Sequence, residues 1–357
     1  MRISLCMIVK NEEEVLRECL ESVSGIVSEI VAVDTGSNDR TLDILKEYGA
    51  KIKKLAWNHD FSAARNASLS EATGTHILVL DADERLLSSR EELEAILQEN
   101  PHVPLQVLCK NDLDGEISTH RVVRVFPNDP ELCFQGAIHE SIHRDGKQVS
   151  GCPSSLVIWH VGYQKERYEK RNKKEFYLTL YEKELKTRGE DGYLLYQIGK
   201  LLYSTGDYSE AIQYFQKCME HGEEKSLYFP AMLVLHGYTL KHAGRSVEAL
   251  ELLVDFIDTY PDYPDLFFLM GLLSLEAGLL ENTELAFLQC VEIGETQKYS
   301  TVDGVGTYRA YHNLGVFYEV YGQKKNAIDW YSRAADAGYR PSAERLIEYG
   351  NILKKNM

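Results

Sequence analysis

Over the first 163 residues, short apolar runs alternate with stretches of helical period. Ile3-Ser4-Leu5-Cys6-Met7-Ile8-Val9 is almost uniformly apolar, as suits a strand buried on both faces of a parallel sheet. Across residues 13–23 the period changes, and Val15, Leu16, Leu20 and Val23 fall on one helical face. Residues 29–34 predict a second strand ending on Asp34, residues 51–55 a third, and residues 76–80 a fourth that runs into Asp81-Ala82-Asp83. Helices are predicted over residues 40–48, capped by Asp39, and over residues 61–72, stopped near Gly74. This β-α-β-α-β-α-β order predicts an α/β unit: a Rossmann-like mixed sheet, parallel in its main part, with helices on both faces. Ligands of such sheets sit beyond the carboxyl ends of the strands. Asn11, Asp34 and the Asp81/Asp83 pair all fall at such ends.

From about residue 192 the pattern repeats. Gly199 and Gly206, Gly237 and Gly244, Gly271 and Gly278, and Gly315 and Gly322 are pairs seven apart. Ala211, Ala249, Thr283 and Ala327 follow five later, and Phe215, Leu253, Phe287 and Tyr331 four beyond those. A small residue lets two helices cross closely, and the large residue fills the groove. The start-to-start steps are 38, 34 and 44, and the longest implies a loop insertion around residues 295–307. The pattern resembles the tetratricopeptide repeat, with about four units in an all-α solenoid. The expected division is therefore residues 1–163, a basic connecting helix over 164–190, and repeats over 191–357. The basic stretch reads as a solvated cationic face, with a dock for a phosphate or an acidic acceptor as the alternative. Tyr193, Tyr196, Tyr203, Tyr228 and Tyr238 are expected in the repeat core, or else along a peptide groove.

Composition narrows the partners. The 357 residues carry 39 Lys+Arg against 55 Asp+Glu, a net charge of −16. Such a surface repels phosphate backbones and anionic lipid, so no nucleic acid is expected as a partner. No apolar run approaches the ~18 residues of a spanning helix, so no transmembrane segment is expected. Seven cysteines without a C-x-x-C pair suggest reduced thiols and a cytoplasmic protein. The oligomeric state stays open, a homo-oligomer included.

Asp81-Ala82-Asp83 is the first chemical candidate. Two carboxylates leaving a strand can hold Mg²⁺ or Mn²⁺, which commonly bridges protein carboxylates to a diphosphate. His139-Glu140-Ser141-Ile142-His143 is a literal H-E-x-x-H, whose zinc chemistry requires a helix. Gly136 before it, the β-branched Ile138 and Ile142, and the turn Arg144-Asp145-Gly146-Lys147 predict a strand and hairpin instead, which argues against a metalloprotease site.

Four segments in order resemble family 2 glycosyltransferases of the GT-A fold: Met7-Ile8-Val9-Lys10-Asn11-Glu12-Glu13, Val33-Asp34-Thr35-Gly36-Ser37-Asn38-Asp39-Arg40-Thr41, Ala63-Ala64-Arg65-Asn66-Ala67 with Ala72-Thr73-Gly74, and Leu80-Asp81-Ala82-Asp83-Glu84. Joined to tetratricopeptide repeats, they resemble bacterial peptide and protein glycosyltransferases of the glycocin (sublancin-type) kind. The resemblance implies a nucleotide-sugar donor, a UDP-sugar, and inversion at the anomeric carbon. It implies that Val9, Asn11 and Glu12 line the base and ribose, that Asp34 accepts hydrogen bonds from the base, and that Arg65 holds the base or neighbouring acidic groups. Asp81, with Ala82, would face the ribose, and Asp83 would bind the metal. His160 is expected as a further metal ligand, the alternative being a structural histidine. Direct displacement also needs a base for the acceptor proton, expected at Glu140, with His139 second. The acceptor is expected to be a peptide or protein held by the repeats. A saccharide acceptor and a silent scaffold are the alternatives.

Overall fold

The computed structural model describes residues 1–113, 116–161 and 173–355. It divides into two compact units, Met1–Gly189 and Glu190–Met357. In the first, the strands are β1 (Ile3–Val9), β2 (Glu29–Asp34), β3 (Lys51–Lys54), β4 (His76–Val79), β5 (Glu84–Leu86), β6 (Leu105–Leu113), β7 (Glu116–Pro127), β8 (Leu132–Gln135), β9 (Ser141–Arg144), β10 (Lys147–Gln148) and β11 (Cys152–His160). The large sheet runs β3-β2-β1-β4-β7-β6-β11-β5, and β10-β9-β8 form a small sheet of their own.

Pairing is parallel from β3 through β4, as the alternation predicts. Beyond β4 the sheet becomes mixed, as expected. β7 joins antiparallel to β4, and β6 and β7 form a long antiparallel hairpin that needs no crossover helix. Side chains alternate across β1: Leu5 and Met7 pack in one core with Leu16, Leu20 and Leu78, while Cys6 faces Val79, Phe126 and Phe134 in another.

Helices α1 (Leu16–Ser22), α2 (Thr41–Glu47) and α3 (Phe61–Leu69) follow the first three strands, and α4 (Arg90–Glu99) follows β5. Asp60 caps α3 by accepting from the Ala63 N–H at 2.9 Å. Asp39 does not take the cap position of α2, which Arg40 occupies. Its carboxylate instead accepts from the Thr41 N–H at 3.0 Å and the Glu13 N–H at 3.2 Å, tying two loops together.

Helix α5 (Lys173–Arg188) belongs to the first unit, so the helix expected as a connector is part of the α/β body. Residues 164–172 of that basic stretch lie outside the described residues.

The second unit pairs helices α6 (Gly192–Ser204) with α7 (Tyr208–Glu220), α8 (Phe229–His242) with α9 (Ser246–Val254), α10 (Pro264–Glu276) with α11 (Leu280–Ile293), and α12 (Tyr308–Val320) with α13 (Lys324–Asp336), closing on α14 (Arg340–Lys355). The small-against-large rule holds at atomic level. A Cβ on Gly199 would stand 2.6 Å from the Phe215 ring, one on Gly271 2.7 Å from Phe287, and one on Gly315 2.5 Å from Tyr331. The tyrosines expected in the core divide. Tyr196 is buried and stacks on half-buried Tyr228, whereas Tyr193 is exposed. The insertion is ordered: buried Asp265 accepts from the Val302 N–H at 2.9 Å and from the Thr301 hydroxyl.

No described helix is long and apolar enough to cross a membrane. All seven cysteines are free thiols.

Candidate active site

The strand ends bring the expected acidic residues to one rim. Asp34 pairs with Val9 across β2 and β1, and Val79 pairs with Cys6 across β4 and β1. The strand ends carrying Asp34 and Asp81 are therefore two strand spacings apart, roughly 10 Å. The loop after β1 is laced to the loop after β2. Asn11, held at a positive φ of 56°, receives the Asn38 N–H on its side-chain oxygen at 2.9 Å and donates its own N–H to the Ser37 hydroxyl at 3.0 Å. The Glu12 N–H donates to the Thr41 hydroxyl at 2.7 Å. Asp34 is buried and accepts the Ser37 N–H at 2.9 Å. Val9 and Ala82, expected along the nucleotide, send their side chains into the core, which leaves only their backbone for a ligand.

Asp81 is the centre of the charged cluster. Its Oδ1 accepts from Arg65, and its Oδ2 accepts from Arg124 at 3.0 Å. The same Arg124 donates to Glu84 at 2.6 Å, and the other Glu84 oxygen accepts the Asp81 N–H at 2.8 Å. Arg65 extends the network by donating from Nε to Glu140 at 3.0 Å. Burial opposes ionisation of Asp81, but the two guanidiniums outweigh it and hold the carboxyl below the usual carboxylate range. Glu84 differs: there burial prevails and its carboxyl is pushed up. Arg65 Nη1 and Arg124 Nε are buried without a hydrogen-bond partner among the described residues. Buried donors of this kind demand an acceptor, and a ligand oxygen would supply one.

Asp83 stands apart from that cluster and beside His160, with Oδ1 3.4 Å from Nε2. His160 ends β11, between Glu84 of β5 and Asn111 of β6. Its Nδ1 is 2.9 Å from the Asn111 side-chain oxygen, an orientation that turns Nε2 toward the carboxylate. Burial disfavours both charges, but the mutual hydrogen bond lowers the Asp83 pKa and raises that of His160. With the shared proton lost, the Asp83 carboxylate is a hard oxygen donor that fits Mn²⁺ or Mg²⁺, and the His160 nitrogen adds a donor that Mn²⁺ takes more readily than Mg²⁺. No group of three or more His, Cys, Asp or Glu residues shaped for a metal occurs among the described residues. Two protein ligands would leave the other positions to diphosphate oxygens and water.

The H-E-x-x-H segment is not helical. Ser141–Arg144 is β9, paired with β8, and the turn at Asp145 and Gly146 leads into β10. Glu140 joins Arg65, whereas His139 turns to α5 and stacks on Tyr181.

Arg124 and Asn111 carried no role at the level of sequence, and Glu84 was noted only as part of a motif. Arg124 left one signal: a lone cation inside Val122-Val123-Arg124-Val125-Phe126, where an unpaired charge would be costly to bury.

Geometry and sequence similarity agree on class. Residues 4–130 match the family model "Glycosyl transferase family 2", and residues 192–224 match "Tetratricopeptide repeat". The chain thus carries a family 2 glycosyltransferase domain followed by tetratricopeptide repeats. It is 37% identical over 231 residues to a TPR repeat-containing protein of Synechococcus elongatus, covering 62% of this chain and 57% of that one. It is 27% identical over 277 residues to the SPbeta prophage-derived glycosyltransferase SunS of Bacillus subtilis, covering 73% of this chain and 63% of that one. The matched segments thus span about three fifths of each relative.

Proposed function

We propose that the chain is a glycosyltransferase that moves a sugar from a UDP-sugar to a hydroxyl or thiol side chain of a peptide or protein held by the repeats, assisted by Mg²⁺ or Mn²⁺. The observation that carries this reading is the Arg65 bridge: one buried guanidinium ties Asp81, on the donor rim, to Glu140, on the loop where an acceptor proton must go. The laced loops after β1 and β2, with Asp34 between them, form the wall for base and ribose. Arg65 Nη1 and Arg124 Nε offer unfilled donors to the ligand. Asp83 and His160 would hold the cation, which when bound neutralises charge developing on the departing diphosphate.

In the transfer, the acceptor oxygen or sulfur attacks the anomeric carbon as the bond to the diphosphate oxygen breaks. UDP leaves and Glu140 receives the acceptor proton. Displacement from the face opposite the leaving group inverts the centre. Glu140 keeps one oxygen on Arg65, and its other oxygen takes no hydrogen bond among the described residues. The exposed Tyr193 and half-buried Tyr228 supply apolar, hydrogen-bonding surface for a peptide. The seven free thiols suit a reducing compartment, the cytoplasm.

The test is a panel of UDP-sugars with Mn²⁺ or Mg²⁺, read by UDP release, by calorimetry of UDP binding, and by mass spectrometry of candidate peptides. Metal-dependent UDP binding with sugar-specific UDP release is expected. Absence of both would leave a scaffold that binds partners without catalysis.

A further inference from the structure

Helix α5 lies beyond the family match, which ends at residue 130, yet it holds the loop that carries Glu140. The loop itself is constrained. Gly136 has φ 102° and His139 φ 52°, the left-handed region that a histidine seldom enters unsupported. From α3, the Phe61 N–H donates to the Ala137 carbonyl at 2.9 Å. The same helix reaches β8 through Asn66, which both donates to and accepts from the Phe134 backbone. From α5, Glu184 accepts the Ala137 N–H at 2.7 Å, and the Tyr181 hydroxyl sits 2.6 Å from His139 Nε2. The His139 and Tyr181 rings stack with centroids 5.6 Å apart and 17° between planes. Tyr181 and Glu184 are both buried, so neither is a casual surface contact. Five residues before Tyr181, Phe176 joins Trp57 and His59 in an aromatic group that seats α5 on the loop after β3.

We infer that Tyr181 and Glu184 are positioning residues for the acceptor side of the active site. Glu184 fixes the backbone at Ala137, and Tyr181 holds His139 in its left-handed turn. Together they place the next residue, Glu140, against Arg65. This inference rests on the proposal that Glu140 takes the acceptor proton. Its physical basis is that a hydrogen-bonded carboxylate and a stacked ring restrict a short loop with two positive φ values, and a displacement of about 1 Å at a reacting group costs ~10²-fold in rate.

The experiment compares Glu184→Leu, Glu184→Gln, Tyr181→Phe and Glu140→Gln in the full chain. The readouts are transfer kcat, donor KM, melting temperature and hydrogen exchange of residues 134–142. Glu184→Leu and Tyr181→Phe are expected to lower kcat by ~10–100-fold with donor KM within about twofold. Glu184→Gln, which keeps an acceptor oxygen for Ala137, is expected to restore most of the rate. Exchange in residues 134–142 is expected to quicken in Glu184→Leu and not in Glu184→Gln. Unchanged kcat in both Glu184→Leu and Tyr181→Phe alongside a damaged Glu140→Gln would overturn the inference. So would equal damage from Glu184→Leu and Glu184→Gln. If Glu140→Gln itself keeps full activity, the proton-acceptor assignment fails, and the exchange data alone decide whether α5 holds the loop. If Glu184→Leu does not fold, Tyr181→Phe, which retains the stacked ring, decides the matter by its kcat.

Discussion

Arg65 donates from Nε to the Glu140 carboxylate at 3.0 Å, joining residues 75 apart in sequence. The same guanidinium holds Asp81, so the end of β4 and the loop carrying Glu140 share one buried cation. Glu140→Gln keeps the shape and the hydrogen bond but removes the proton acceptor. It is expected to lower kcat by ~10²–10⁴-fold while donor affinity changes little. Steady-state kinetics with titrated donor measures both, and an equal fall in donor affinity would remove Glu140 from the role of base.

Asp83 is held by His160 rather than by the arginine network, so replacing it leaves that network whole. Asp83→Ala is expected to abolish transfer and to eliminate the dependence of UDP binding on Mn²⁺, with melting within a few degrees of the parent. Calorimetry of UDP with and without metal, alongside thermal melting, checks this. Retained turnover would move the cation elsewhere.

Arg124 answers two carboxylates, Asp81 and Glu84, from inside β7. Removing one partner of a buried pair strands the other, so Arg124→Met is expected to destabilise the first unit by about 3–5 kcal/mol. Adding Glu84→Gln removes a stranded charge and is expected to restore part of that loss. Urea unfolding of the single and double variants gives the coupling. Strict additivity would mean that the two residues act independently.

His236 on α8 is buried, and neither ring nitrogen finds a partner among the described residues. Burial pushes its pKa down to about 4 from 6.5. The folded state therefore favours the neutral ring. Stability from this group is fully present above about pH 6.5, and ~3 kcal/mol of it is lost as pH falls from there to about 4. His236→Leu is expected to hold or raise stability at pH 7 and to flatten the decline between those values. Melting temperature against pH for the two proteins reads the difference directly, and parallel curves would refute it.

Much of the scaffold was legible without coordinates. Residues 3–9 and 29–34 form β1 and β2 with the bounds that the apolar runs predict. Gly199, Gly271 and Gly315 meet the large side chains predicted to fill their grooves, while Gly206, Gly244, Gly278 and Gly322 take a positive φ. These signals are local: burial of a face imposes a period of 2 or 3.6, and a helix crossing imposes a small residue at a regular place. The strand order beyond β4 was not legible, because there β6–β11 is parallel and the other pairs antiparallel, and both depend on which distant segments pair. Nor was the docking of α5, whose basic composition suggested a solvated face while its buried Tyr181 and Glu184 serve the loop at residues 136–140.

The amino-acid order determined which residues had to be strand, helix or repeat, and which carboxylates had to leave strands at the same edge. Tertiary structure alone decided which cation meets which anion. The partners of Asp81 lie 16 and 43 residues away, and only folding brings those charges close enough, in a medium dry enough, for their pairing to have a defined geometry.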